Sequence, residues 1–186
     1  MNNKYSKCSN CPANHLLDDK RKALIERWES KRDSYLSRTK KIKLILLGES
    51  MPASRYFYDL ETDYPESGLR YSLKREFGKL DLSDSQFLIS MSRKGIVLLD
   101  CALCPLHQLY DNVTKRHAAT YCFLTITHET ISKFPDTPIV TVFPSNRGWL
   151  KSEIPFEIRY NVKGECTFSD QSGLSDFYKE LITKKL

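Results

Sequence analysis

The sequence predicts an α/β fold, a mostly parallel central sheet of four strands between two layers of helix. Three observations carry that expectation. The uninterrupted apolar runs Leu44-Ile45-Leu46-Leu47 and Ile96-Val97-Leu98-Leu99 read as strands buried on both faces, the pattern of parallel sheets. Helical periodicity precedes, separates and follows them, so strand and helix alternate along the chain. The 186 residues, 40% hydrophobic and 28% charged, are enough for one domain with a full core. A single domain is therefore expected over 1–186, with 1–40 as an N-terminal extension made of a Cys-x-x-Cys pair and a helix.

The elements follow in order. Asp18 and Asp19 are helix-capping residues ahead of a helix over 19–37, whose apolar stripe is Leu17, Leu24, Trp28 and Tyr35. The first strand, 42–47, comes directly after it. A second helix is expected over 69–80, with Leu69, Leu73, Phe77 and Leu80 on one face, and a shorter one over 83–94 capped by Ser83 or Asp84. Gly95 introduces the second strand. Over 118–134, Tyr121, Leu124, His128 and Ile131 recur at helical spacing until Pro135 ends the run. Residues 138–143 read as a third strand and 156–168 as one or two strands broken at Gly164. A closing helix over 174–185 turns Leu174, Phe177 and Leu181 inward.

Composition narrows the class of function. No stretch approaches the roughly 20 apolar residues that span a bilayer, and the N-terminus carries no apolar secretory core, so a cytoplasmic location is expected. The balance of 29 basic and 23 acidic side chains, net +6, leans towards anionic partners such as nucleic acid. The basic runs at 20–43 and 179–185 are explained as well by solvated helix faces. A monomer is the default. Six cysteines in such a chain, two of them as Cys8-x-x-Cys11, point to metal or redox chemistry rather than to a disulfide framework.

Chemistry concentrates after the first strand. Open α/β sheets bind ligands beyond the carboxyl ends of their strands. There the chain places Gly48, Glu49, Ser50 and Pro52, then Arg55, Tyr56, Phe57, Tyr58 and Asp59. Glu49, with Asp59 in reserve, is the candidate catalytic carboxylate, and Ser50 a candidate hydroxyl beside it. Turn capping and a hydrophobic plug over the sheet end are the competing structural explanations.

The run Gly48-Glu49-Ser50-Met51-Pro52 resembles the first motif of the uracil-DNA glycosylase superfamily. That motif is Gly-Gln-Asp-Pro-Tyr in one branch and Gly-Glu-Ala-Pro-Gly in the iron–sulfur branch; here the proline stands one place late. The cysteines extend the resemblance to the iron–sulfur branch. Cys8 and Cys11 precede the motif, Asp100 ends the second strand, Cys104 comes four residues later and Cys122 lies after 17 intervening residues. The resemblance implies a uracil-DNA glycosylase-like sandwich, DNA as partner, and a DNA-repair hydrolase that cleaves the N-glycosidic bond of a flipped base. It also implies a [4Fe–4S] cluster on Cys8, Cys11, Cys104 and Cys122. Zinc, with Cys101 in place of Cys122, and no metal at all stay open.

Within that resemblance, Tyr56, Phe57, Tyr58, Asp100 and Ser169 are the expected base-binding residues. Arg55, Arg147, Trp149 and Lys151 are the expected nucleic-acid contacts. Ser50 stands where the most active branch has a water-activating Asp. Asp100 stands where the family has Asn; an ionised carboxylate only accepts hydrogen bonds, which shifts the expected preference away from uracil towards an edge with adjacent donors. The final His-Pro-Ser-Pro motif has no counterpart with histidine: Pro144-Ser145 and Ser169-Asp170 compete for its place, and His15, His107, His117 and His128 are expected elsewhere. A non-catalytic nucleic-acid- or nucleotide-binding protein of the same fold is the alternative. A metal-bearing α/β protein with an unrelated small-molecule ligand is the third possibility.

Overall fold

The computed structural model describes residues 4–62, 68–142 and 162–165. Short 3-10 turns at Lys4–Cys8 and Asn14–Leu16 lead into α1, Asp19–Arg38. Asp18 starts that helix by accepting the Arg21 N–H at 2.7 Å, which satisfies one of the unpaired donors of a helix N-terminus. Its inward face is Arg21, Ile25, Trp28 and Tyr35, spaced at whole helical turns. Ile25 therefore takes the place that the sequence suggested for Leu24, which is only half-buried.

Strand β1, Leu44–Ser50, lies between β2, Ile96–Ala102, and β3, Ile139–Thr141, and is parallel to both. The segment β4, Val162–Glu165, continues the order β2-β1-β3-β4, again in parallel. The continuous apolar runs are thus what they promised, strands of a parallel sheet in an α/β protein. Strand β3 is shorter than the expected 138–143, and the closing helix expected over 174–185 lies outside the described residues.

Helix α2, Leu69–Glu76, stops before residue 80 because Gly78 turns the chain with φ 62°. Helix α3, Asp84–Lys94, opens on a reciprocal capping box between Ser83 and Gln86 and closes on Gly95 at φ 76°. A Cβ on Gly95 would come within 2.2 Å of the Lys41 carbonyl, so glycine is required there.

Helix α4, Asn112–Cys122, starts six residues ahead of the expected position, capped by Asp111. It passes through a wide π turn, Phe123–Thr127, into the short α5, His128–Ile131. The wide turn inserts an extra residue and rotates α5 relative to α4. The buried face is consequently Ala118, Ala119, Cys122, Phe123, Thr127 and Ile131, and Leu124 is exposed. Among the described residues no helix is long and apolar enough to cross a membrane.

Candidate functional site

At the carboxyl ends of β1 and β2 a cavity of about 310 Å³ opens between the strand termini, residues 50–57 and α2. Gly48, Glu49 and Asp100 come from the strands, Pro52, Arg55, Tyr56 and Phe57 from the loop, and His107 from the 3-10 turn Leu106–Gln108. The volume is at the lower end of the range for small-ligand sites, roughly 300–1,000 Å³. Gly48 pairs with Asp100 across the sheet, and a Cβ on Gly48 would stand 2.6 Å from Asp100 Oδ1. The glycine leaves room for the carboxyl group beside it.

Asp100 is the electrostatic centre of this cavity. Its carboxyl is buried, and Oδ2 has no hydrogen-bond partner among the described residues. Burial pushes its pKa up to about 7, against the pull of Arg32 and of the Tyr56 hydroxyl. That hydroxyl is itself buried without a well-formed hydrogen bond. Burial also raises the pKa of Glu49, with Lys115 opposing. Two carboxyl groups at the adjacent ends of β1 and β2 are therefore held short of full hydration, a condition that favours contact with ligand donors.

The aromatic wall is rigid. Tyr56 stacks on Trp28 with ring centroids 5.2 Å apart, and Phe57 meets Tyr58 edge to face at 5.0 Å. Two buried arginines fix the loop that carries them. Arg21 donates to the carbonyls of Pro52 at 2.8 Å and Met51 at 3.4 Å. Arg70 donates to those of Tyr56, Phe57 and Asp59. Sequence patterning singled out neither arginine nor Trp28, because buried cations are rare and Trp28 reads as one more apolar residue of a helix stripe.

Four thiols meet in a second place. Cys8, Cys11, Cys104 and Cys122 line one small cavity together with Ala13, Leu103, Leu106, Tyr121 and Thr125. Burial raises the pKa of each of the last three; for Cys104, pushed up to about 12, Cys11 and Cys8 raise it further. A buried set of soft donors that repel one another as thiolates suits a thiophilic metal centre. Among the described residues, no three His, Cys, Asp or Glu side chains are already drawn around a single point, so loading requires a local adjustment of this shell. Cys101 is buried but does not line this cavity, whereas Cys122 does.

Other expected residues fall elsewhere. Tyr58 faces away from the 310 Å³ cavity: its hydroxyl donates to the Leu98 carbonyl at 2.9 Å, and its ring borders a separate cavity between α1 and α3. Asp59 is buried in an ion pair with Arg27 at 2.9 Å and accepts the Glu61 N–H, which makes it a loop anchor. Ser50 does line the site, with its hydroxyl accepting the Leu106 N–H at 3.3 Å. Arg55 stands exposed at the rim. His107, set aside on sequence grounds, is in the site, delivered by a turn that no motif marked. Ser169, Arg147, Trp149 and Lys151 lie outside the described residues.

No family model, curated protein or solved structure matches this chain.

Proposed function

We propose that the cavity at the ends of β1 and β2 receives a nucleobase flipped out of DNA, and that the chain is a glycosylase of the uracil-DNA glycosylase superfamily. The full four-stranded, three-layer sandwich of that superfamily belongs to the same reading. The observation that carries it is the convergence of Glu49, Asp100, Tyr56, Phe57 and His107 on one base-sized cavity at the carboxyl ends of parallel strands. Glycosidic cleavage needs a flipped base held against aromatic rings, a carboxylate where positive charge develops, and a donor for the departing base. Phe57 and Tyr56 supply the aromatic wall. Glu49 supplies the carboxylate, orienting water or facing the oxocarbenium ion. His107 is the donor nearest to hand, and Arg55 at the rim suits a phosphate. Asp100, in its ionised form, only accepts and so fits an edge with adjacent N–H donors, such as that of guanine, better than the alternating edge of uracil.

Cys8, Cys11, Cys104 and Cys122 would hold a [4Fe–4S] cluster, whose contribution is structural, joining the N-terminal segment to the region after β2. DNA is the expected partner and a monomer the working unit. Ser50 favours a second reading, a non-catalytic binder of nucleic acid or nucleotide. Its hydroxyl is committed to Leu106, and no second carboxylate stands at that position to activate water.

A panel of duplex and single-stranded DNAs, each with one damaged or mismatched base, separates the two readings. Release of a base, lowered at least about 100-fold by Glu49→Gln, supports the enzyme; tight binding without release supports the binder. Clear preference for uracil over every other base would sink the role given to Asp100. Absorption in the blue from anaerobically purified protein supports the cluster, and stoichiometric zinc without it supports the other metal.

A further inference from the structure

We infer that Arg21 is a positioning residue that couples the thiol cavity to the base-sized cavity, so that filling the first fixes the wall of the second. The inference rests on the thiol metal centre proposed above.

Arg21 sits in the first turn of α1 and reaches three segments at once. Besides Met51 and Pro52, it donates to the Leu103 carbonyl at 3.0 Å. Pro52 lines the base-sized cavity. Leu103 lines the thiol cavity, directly precedes Cys104, and donates its own N–H to Cys122 Sγ at 3.4 Å. A second connection runs through rings. The guanidinium lies 5.0 Å over Trp28, Trp28 stacks on Tyr56, and Tyr56 lines the base-sized cavity.

The charge of Arg21 is the second, independent observation. The side chain is only 8% exposed, and among the described residues no carboxylate is in ion-pair contact with it. Its Nε has no hydrogen-bond partner there either. A buried cation is strongly disfavoured unless an anion stands near it. Four thiolates around a divalent ion, or around an oxidised cluster, carry a net charge of about −2. Among the described residues Asp18 is the one carboxylate that acts on this charge, and it does so without a side-chain ion pair; a loaded centre beyond Leu103 adds the further anionic charge. Because loading adjusts the thiol shell, it shifts residues 103 and 104, and Arg21 passes that shift to the carbonyls of Met51 and Pro52.

Amide hydrogen exchange, followed by mass spectrometry over residues 51–58, tests this on the full chain. Reduced, chelator-treated protein is compared with the same protein given zinc alone, or ferrous iron and sulfide. Loading is expected to slow exchange in this segment about tenfold. In Arg21→Gln the metal is expected to bind at the same stoichiometry while the response of the segment disappears. If Arg21→Gln does not fold, Arg21→Lys keeps the charge but cannot reach both loops, and it too should hold metal without the response. Wild-type protein that binds metal and leaves the segment unchanged would overturn the coupling, as would a full response in the variant. Failure of wild-type protein to take up either metal, read directly by metal analysis, overturns the thiol centre itself.

Discussion

Arg21 and Arg70 hold opposite ends of the same loop, residues 51–59, and they are neutralised differently. Arg70 is fully buried, and its guanidinium is paired with Asp84 at 2.6 Å, so its charge is balanced within the fold. Arg21 caps carbonyls with the same fork of donors, but among the described residues its guanidinium has no ion pair with a carboxylate, Asp18 accepting only its backbone N–H. A purely structural loop clamp has the Arg70 pattern. The Arg21 pattern differs from it, and the proposed thiol centre would supply the counter-charge that this clamp lacks within contact.

Replacing each arginine in turn with methionine, in metal-free protein, should give the largest difference. Arg70→Met is expected to lower the unfolding free energy by about 3–5 kcal/mol, because the carbonyls of Tyr56, Phe57 and Asp59 lose their buried donor while Asp84 keeps only Lys74 as its partner. Arg21→Met removes an unbalanced charge and should cost less than half as much. Equal losses in urea denaturation would show that the two arginines are alike.

Asp100→Asn comes next. The native pKa of about 7 lies above that of a carboxyl in the unfolded chain, about 3.9. Between those values the native state holds the proton that the unfolded chain has released, so stability falls as pH rises and levels off above 7. The fall amounts to roughly 4 kcal/mol. Asp100→Asn abolishes it, leaving the variant more stable than wild type at pH 8 and nearly equal at pH 4. A parallel pH profile for the two proteins would show that the Asp100 carboxyl is hydrated.

Gly48→Ala places a methyl group against Asp100 Oδ1 and is expected to cost about 1–3 kcal/mol. It should also flatten the pH profile as the carboxyl moves towards solvent. The smallest effect sharpens the assignment of the aromatics. Tyr58→Phe should lose about 1 kcal/mol of stability with its hydrogen bond to Leu98 and leave base binding unchanged, whereas Phe57→Ala should weaken base binding measured by fluorescence titration.

The parallel sheet was legible because Leu44 to Leu47 and Ile96 to Leu99 have no polar face at all, a condition met in few other settings. The strand-end location of the site was legible for the same reason, since Gly48, Glu49 and Asp100 simply come next after those runs. The direction of Tyr58 was not. Three consecutive aromatics leave the strand, and whether each points into the cavity or beneath the sheet depends on the loop's path, which Arg21 and Arg70 set from distant parts of the chain. His107 was expected elsewhere because a short 3-10 turn carries it into the cavity, and such turns have no periodicity to read. Cys122 illustrates the reverse case. Its place beside Cys8, Cys11 and Cys104 in one cavity was an expectation of the resemblance to the iron–sulfur branch, although the helix around it began earlier than its apolar pattern suggested.

The wide turn at Phe123–Thr127 bears on how this chain tolerates change in length. Thr127 Oγ1 donates to the Asp100 carbonyl at 2.8 Å, which fastens the helix to β2 at the residue that closes the base-sized cavity. Cys122, one residue before the turn, faces the thiol cavity. Winding the same residues as an ordinary α-helix would swing Thr127 about 100° away from the strand. The helix would survive such a change, while the bond from Thr127 to the Asp100 carbonyl would not. Deleting one residue from the turn, by contrast, restores ordinary winding and leaves Thr127 directed towards β2. The wide turn is therefore what lets the chain carry one residue more and still keep its hold on the strand.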